Sequence, residues 1–414
     1  MNHLSQPLNP ISIAEEILQL ATSVISDPGV VTDPFVLYDA KNKMQDLCSK
    51  MLQSTLGRLE YTILLAESCQ ESSALGFVNA LGIPDIIGDD AMSLAELGEK
   101  SGADIRFLAI AMSCLAKHDY FEETGGFGSQ VYKNNYNSEV LRENHPESVK
   151  DAVGFVCDEG FKATSYLLEA SKLPLKQEKR LPAVNVAFGF EKSVFEWMSD
   201  QAWRGKRMGK AMQQLHKMAN GNVVVDYPWN NLASPIVDVG GGIGSLEMAL
   251  VKDECNSSLE FTIFDIPTTI ENAKTNWKSH STPASTQITF VPGNFLAASL
   301  NETCIPQGQP TYLIRHVLHD WTDDQVVTIL ANVREAMLAA PKPGVIPKLV
   351  LCEMLLQESS SRFVRTTSMQ LLALNNGITR KEAEMVRLVE RSGFYVEKVH
   401  YMRSVDSIIE ARPV

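Results

Sequence analysis

The stretch IVDVGGGIGSLEMAL, Ile236 to Leu250, restricts what this chain can fold into more than any other. A short apolar run leads into Gly240, Gly241, Gly242 and Gly244, and a helical pattern follows. Glycines let a backbone turn sharply and approach a ligand closely, and a helix start offers unpaired N–H groups. From Pro235 onward, apolar runs alternate with helical segments: PIVDVGG, LEFTIFDIP, QITFVPGNF, TYLIRHVL, KLVLCEML and YVEKVHYM. Alternation of this kind predicts an α/β domain built on a largely parallel, Rossmann-like sheet.

The loop implies an adenosine ligand. Asp265 ends the next predicted strand about 20 residues beyond Gly244, where a carboxylate accepts both ribose hydroxyls. Asp238 lies inside the strand, two residues before the first glycine. A negative charge there has little use beside a pyrophosphate but suits an ammonium. S-adenosylmethionine carries an ammonium and a sulfonium and has no phosphate, so it is the expected cofactor.

The 414 residues exceed one ordinary core, and two domains are expected. Residues 11 to 32 and 41 to 72 carry apolar positions at helical spacing, among them Ile13, Ile17, Leu20, Met51, Leu56, Leu59, Ile63 and Leu64. These faces need a partner, either within the chain or in a second copy. From Ser73 to Leu141 the pattern shortens. Ser93 with Glu96 reads as a capping box, Gly102 ends that helix and Asp104 caps the next. Three helices and two strands around TGGFG describe a winged helix. Its third helix, Ile105 to Lys117, offers only Arg106 and Lys117 to a phosphate backbone and is otherwise apolar, so it reads as buried. With a formal net charge of −13, nucleic acid is not an expected partner.

Seven scattered cysteines without a C-x-x-C pair fit reduced thiols and no zinc site. The amino terminus lacks the pattern of a secretory signal, and no apolar run approaches a membrane span. A cytoplasmic protein without membrane contact is the expectation.

Taken together, VDVGGGIG, FDIP, PGNF and LHDW, in this order and spacing, resemble the S-adenosylmethionine-dependent small-molecule O-methyltransferases of the plant caffeate and fungal polyketide type. The similarity runs from about Leu75 to Met402. It implies an N-terminal helical winged-helix dimerisation domain over 1–145, connecting helices that line the substrate pocket over 146–222, and a catalytic domain over 223–414. It also implies a homodimer, a small-molecule substrate and no metal.

The resemblance assigns Asp238, Gly240, Gly242, Gly244, Asp265 and its neighbour Ile266 to the cofactor, together with Asn294, Phe295 and Arg315. Asn294 stands where the family usually has aspartate; its amide oxygen can still accept from an adenine amino group. His319 matches the family's general base, and imidazole suits proton removal from a phenol or enol near neutral pH. Glu353 matches the carboxylate that orients the base. Asp320 is a third catalytic candidate that could instead cap the following helix; Trp321 and His316 read as packing residues.

Anchored on VERSGF, the segment GITRK aligns with the family's Gly-Lys-Glu-Arg-Thr and puts Thr379 in place of its second carboxylate. For the substrate, GFVCDEGF and AFGFEKSVFEWM place Phe155, Phe161, Phe188, Phe190, Phe195, Trp197 and Met198 near the family's pocket, most of them as core. Two activities remain open. One is methylation of a hydroxyl on a small aromatic or enolic secondary metabolite. The other is a pericyclase or dehydratase on the same fold, in which the sulfonium acts only as a fixed charge; Thr379 and Arg315 make it a rival, and the retained His319 and Glu353 keep it second.

Overall fold

The computed structural model describes residues 9–25, 33–173, 180–279, 287–340 and 344–414. Parts of the predicted 11–32 helix and of the polar link at 172–182 lie outside the described residues. The chain forms two compact units, Met1–Ser138 and Glu139–Val414. The division falls a little before the expected one at 145, and the helices of 146–222 belong to the second unit rather than standing apart.

In the first unit, Asn9 caps helix Pro10–Leu20 and Asp33 caps helix Pro34–Ala80. The long helix breaks at Gly57, whose φ of 72° and ψ of 173° are open essentially to glycine alone. The Ser93–Glu96 capping box, the left-handed Gly102 and the Asp104 cap form as expected around helices Leu94–Ser101 and Ile105–Ala116. Strands β1 (Met92–Ser93), β2 (Glu122–Glu123) and β3 (Val131–Lys133) make an antiparallel sheet in the order β1-β3-β2. Leu108, Met112 and Leu115 face a core with Val78, Ile83 and Leu97. One expectation needs correction: the helix Ile105–Ala116 is buried on that face only, and Phe107 and Ile110 are 64% and 72% exposed.

The second unit is built on seven strands: β4 (Ile236–Val239), β5 (Glu260–Asp265), β6 (Gln287–Pro292), β7 (Thr311–Arg315), β8 (Lys348–Met354), β9 (Phe394–Tyr401) and β10 (Asp406–Pro413). Their order is β6-β5-β4-β7-β8-β10-β9. The neighbours from β6 to β8 pair in parallel, and β10 runs antiparallel between β8 and β9.

Every residue of β4 and β7 is buried, which is why both read as mainly apolar runs without a solvent-facing alternation; Asp238 and Arg315 are the charged exceptions. Alternate residues serve opposite faces: Val237, Val239, Tyr312 and Ile314 pack with Ile329 and Val333, whereas Ile236 and Leu313 pack with Leu246, Trp229 and Ile263. Each such side chain contributes about 1.5–3 kcal/mol on burial. The strand order reverses between β4 and β7, and a crevice at the carboxyl ends of strands flanking such a reversal is where open α/β sheets bind ligands.

Strand β10 escaped the sequence reading. DSIIEARP carries three charged residues and looks like a polar tail, but those charges meet partners inside the fold. Glu410 pairs with Lys348 at 2.6 Å, and Asp406 is fully buried against His316.

Candidate active site

The glycine loop begins where β4 ends. The N–H of Gly240 donates to the carbonyl of Phe264 at 2.8 Å, which ties the turn to β5. Gly240, Gly242 and Gly244 have φ of 82°, 60° and 79°, a region that side chains with a Cβ avoid. The reasons for glycine then differ. A Cβ on Gly240 would lie 2.6 Å from Val317 Cγ2, and one on Gly244 would lie 2.6 Å from Trp277 Nε1. At Gly242 there is open space, and its N–H donates to Asp265 Oδ2 at 2.9 Å. Ile266 N–H donates to the other oxygen, Oδ1, at 2.7 Å. Asp265 is thereby aimed by two backbone bonds, and the Thr269 side chain adds a third. Burial raises its pKa, against those bonds.

Around this loop, Ile266 is 41% exposed, and Phe295 meets Trp321 edge-on with ring centroids 5.7 Å apart. Asn294 departs from expectation in one respect: its Oδ1 already accepts from the Leu296 N–H at 2.9 Å, closing a tight turn. Only the oxygen's second lone pair is left for an adenine amino group.

Asp238 is buried, and its Oδ1 has no hydrogen-bond partner among the described residues. Such an orphaned acid beside a glycine cradle fits a ligand that brings its own cationic donor. Arg315, at the end of β7, is also buried and holds Asp406 Oδ2 at 3.4 Å. Glu247, fully buried on helix Ser245–Leu250, was missed by the sequence reading. Its signal was there: the helical period that buries Leu246 and Leu250 buries the glutamate as well.

Beyond β7 the chain turns through Leu318–Asp320, and His319 comes to face Glu353 on the neighbouring strand β8. His319 Nδ1 and Glu353 Oε2 are 2.8 Å apart, an ion pair without the alignment of a linear hydrogen bond. The other carboxylate oxygen accepts from Val317 N–H at 2.9 Å and Leu318 N–H at 2.7 Å, so the histidine's own loop fixes the glutamate. Burial alone would lower the His319 pKa; the Glu353 charge, then that of Asp320, carry it instead to about 9. Glu353 is lowered correspondingly, its burial outweighed by His319.

Asp320 does not cap the next helix; Thr322 does, with Gln325 reciprocating. Instead Asp320 Oδ1 accepts from Asn375 Nδ2 at 2.6 Å and lies 3.7 Å from His319 Nε2. Burial raises its pKa, opposed by His319. Thr379 is buried and accepts a hydrogen bond from Ser368 Oγ at 2.8 Å, so no charge stands at that position. Its loop nevertheless braces the histidine: Ile378 N–H donates to the His319 carbonyl at 2.7 Å, and Arg380 donates to the carbonyls of Leu318 and Trp321.

His316 is packed, as expected, but not inertly. Its Nε2 lies 2.6 Å from Asp406 Oδ1, its Nδ1 lies 3.2 Å from His216 Nε2, and its φ is 52°. Neither His216 nor Asp406 stood out in the sequence, because a lone histidine in a helix and an acid in a polar tail carry no pattern. Burial and then Arg315 hold the His216 pKa well below its usual value.

Of the substrate-pocket candidates, Phe155, Trp197 and Met198 are buried in one cluster, with Phe188 and Phe195 against it. Phe188 and Trp197 have ring centroids 4.8 Å apart. Ala373 and Leu374 join this cluster from the helix that carries Asn375. Phe161 is part-exposed and begins helix Phe161–Ser165 just after a π-helical turn, Val156–Gly160.

The sequence profile of the O-methyltransferase domain matches residues 171–395, more than half of the chain. The chain belongs to the O-methyltransferase family. It is 25% identical to the O-methyltransferase gedA of Aspergillus terreus, over 96% of this chain and 91% of that protein. It is 28% identical to the mitomycin biosynthesis 6-O-methyltransferase of Streptomyces lavendulae, over 81% and 88%. Human N-acetylserotonin methyltransferase, solved in complex with SAM, shares the fold with a TM-score of 0.70 at 20% identity, covering 86% of this chain and 98% of that one. This O-methyltransferase therefore methylates oxygen with S-adenosylmethionine as its cofactor. Among its described residues, no helix is long and apolar enough to cross a membrane.

Proposed function

We propose that this O-methyltransferase methylates a phenolic or enolic hydroxyl of a small aromatic secondary metabolite, with His319 as general base and Glu353 as the group that orients it. The 2.8 Å contact between His319 Nδ1 and Glu353 Oε2 carries this reading. The Glu353 charge beside Nδ1 favours a proton on that nitrogen and would leave Nε2 to take the acceptor's proton. Bound S-adenosylmethionine supplies an activated methyl group and a positive charge. Glu353 stabilises the imidazolium that forms on proton transfer, and Asp320 adds to that field across 3.7 Å. A base with a pKa near 9 is mostly protonated at neutral pH, so a cation held beside it favours the free imidazole that the reaction needs.

Asp265 with Ile266 would hold the ribose, Asn294 and Phe295 the adenine, and Asp238 and Arg315 the methionine end, around the cradle of Gly240, Gly242 and Gly244. Phe155, Phe161, Phe188, Trp197, Met198 and Thr379 would border the acceptor within the helices of 146–222 and the loop after Asn375. The first unit would serve as a winged-helix dimerisation module, a reading supported by exposed Leu59, Ile63, Phe107 and Ile110.

The test is incubation of the full chain with methyl-labelled S-adenosylmethionine and a panel of phenolic and enolic metabolites, read by mass spectrometry. A labelled methyl ether supports the reading. A rearranged or dehydrated product without label, formed while the cofactor stays intact, would replace it with the pericyclase or dehydratase alternative.

A further inference from the structure

Glu247 has no part in the scheme above, yet it is a fully buried acid beside the cofactor loop. Apart from its own backbone N–H, neither of its oxygens has a hydrogen-bond donor among the described residues, and Asp238 Oδ1 has none. The two carboxyl groups lie within bonding range of each other. Two carboxylates can bond only when one carries a proton. The other oxygen of Asp238 is pressed against the loop, where a Cβ on Gly241 would lie 2.6 Å from Oδ2. Asp238 therefore sits against the cradle, and both acids are buried from solvent.

The charged groups around it come from three further elements. Arg315 on β7 is buried with its Nε unpaired, Asp265 stands at the end of β5, and beyond Arg315 lies Asp406 on β10. One guanidinium shared among these acids does not neutralise the pair.

We propose that Asp238 and Glu247 share one proton in the cofactor-free protein, and that the ammonium of S-adenosylmethionine displaces it on binding, making Glu247 a further cofactor-positioning residue. The step balances: the proton leaves to the buffer, the pair goes from one negative charge to two, and the arriving ammonium donates to Asp238 Oδ1 in the proton's place. Burial, and then their mutual repulsion, hold Asp238 well above the usual carboxylate range; burial raises Glu247 as well. Folding keeps the shared proton in place because ionising both acids without a cation is costly. The site is thus matched to ligands that bring a cationic amino-acid end. This inference rests on cofactor use and not on the identity of the acceptor or the base.

Isothermal titration calorimetry of the full chain at neutral pH, in phosphate and in Tris, tests it, because buffers of different ionisation enthalpy reveal proton exchange. S-adenosylmethionine and S-adenosylhomocysteine, which both carry the ammonium, should each release about one proton, and their affinity should rise up to about tenfold per pH unit above the ordinary carboxylate range. 5′-Methylthioadenosine, which lacks the amino-acid end, should release none. Glu247→Gln should bind S-adenosylhomocysteine without proton release. Identical heats in both buffers for the native chain would overturn the shared proton, whether or not the variant folds. Release from Glu247→Gln equal to that of the native chain would overturn the role of Glu247.

Discussion

His319 Nδ1, on the turn that follows β7, and Glu353 Oε2, on the adjacent strand β8, lie 2.8 Å apart, and the loop that carries the histidine donates two N–H groups to the same glutamate. Base and orienter thus hold each other. Glu353→Gln keeps an oxygen for the Val317 and Leu318 N–H groups but removes the charge. Steady-state kinetics should show kcat reduced roughly 10²-fold or more, with cofactor affinity unchanged. The midpoint of the pH–rate profile should move down, because Glu353 is the main charge that raises the histidine.

The pH dependence of stability follows from the same pair. His319 is raised in the folded protein to about 9, above the ordinary histidine value. Its contribution is fully present below that ordinary value and is lost as pH rises through about 9. The thermal midpoint of the native chain should therefore fall over this alkaline span, and the fall should be smaller in His319→Ala.

The glycines of the cradle should respond unequally. Gly242→Ala meets open space and suffers only the left-handed backbone, a cost of about 1 kcal/mol. Gly244→Ala suffers that and also drives a methyl against Trp277, so about 2 kcal/mol or more is expected. Denaturant unfolding orders the two, and calorimetric titration with S-adenosylhomocysteine should rank their affinities the same way.

Asp406 answers Arg315 and His316 from a fully buried position, where the His316 contact and the Arg315 charge hold it ionised against its own desolvation. Asp406→Asn leaves those groups without their anion and should cost roughly 3 kcal/mol in urea unfolding. A loss below 1 kcal/mol would show that the network is not structural.

In the first unit, Ile63 and Phe107 are 59% and 64% exposed. If these faces hold two copies together, light scattering should give twice the chain mass for the native protein and the single mass for an Ile63→Asp, Phe107→Asp double variant.

Much of this architecture was legible because it rests on local patterns. Short apolar-rich runs alternating with helical segments marked six strands of the large sheet, glycines marked the cradle, and Ser93 with Glu96 marked a helix start. What escaped depends on distant partners. Glu247 is buried by a helix whose neighbours are apolar, His216 acquires meaning only through His316, and β10 reads as polar until Lys348 and His316 are brought beside it. Asp320 was a catalytic candidate from its place beside His319, but nothing in the sequence pointed to Asn375, which holds it 3.7 Å from the base.

The most direct test of the base is single-turnover methyl transfer by His319→Ala, measured with the affinity for S-adenosylhomocysteine in the same protein. Transfer reduced at least about 10²-fold, with affinity within a few-fold of native, is the predicted result. Transfer at the native rate would contradict it and remove His319 from the proton-transfer step.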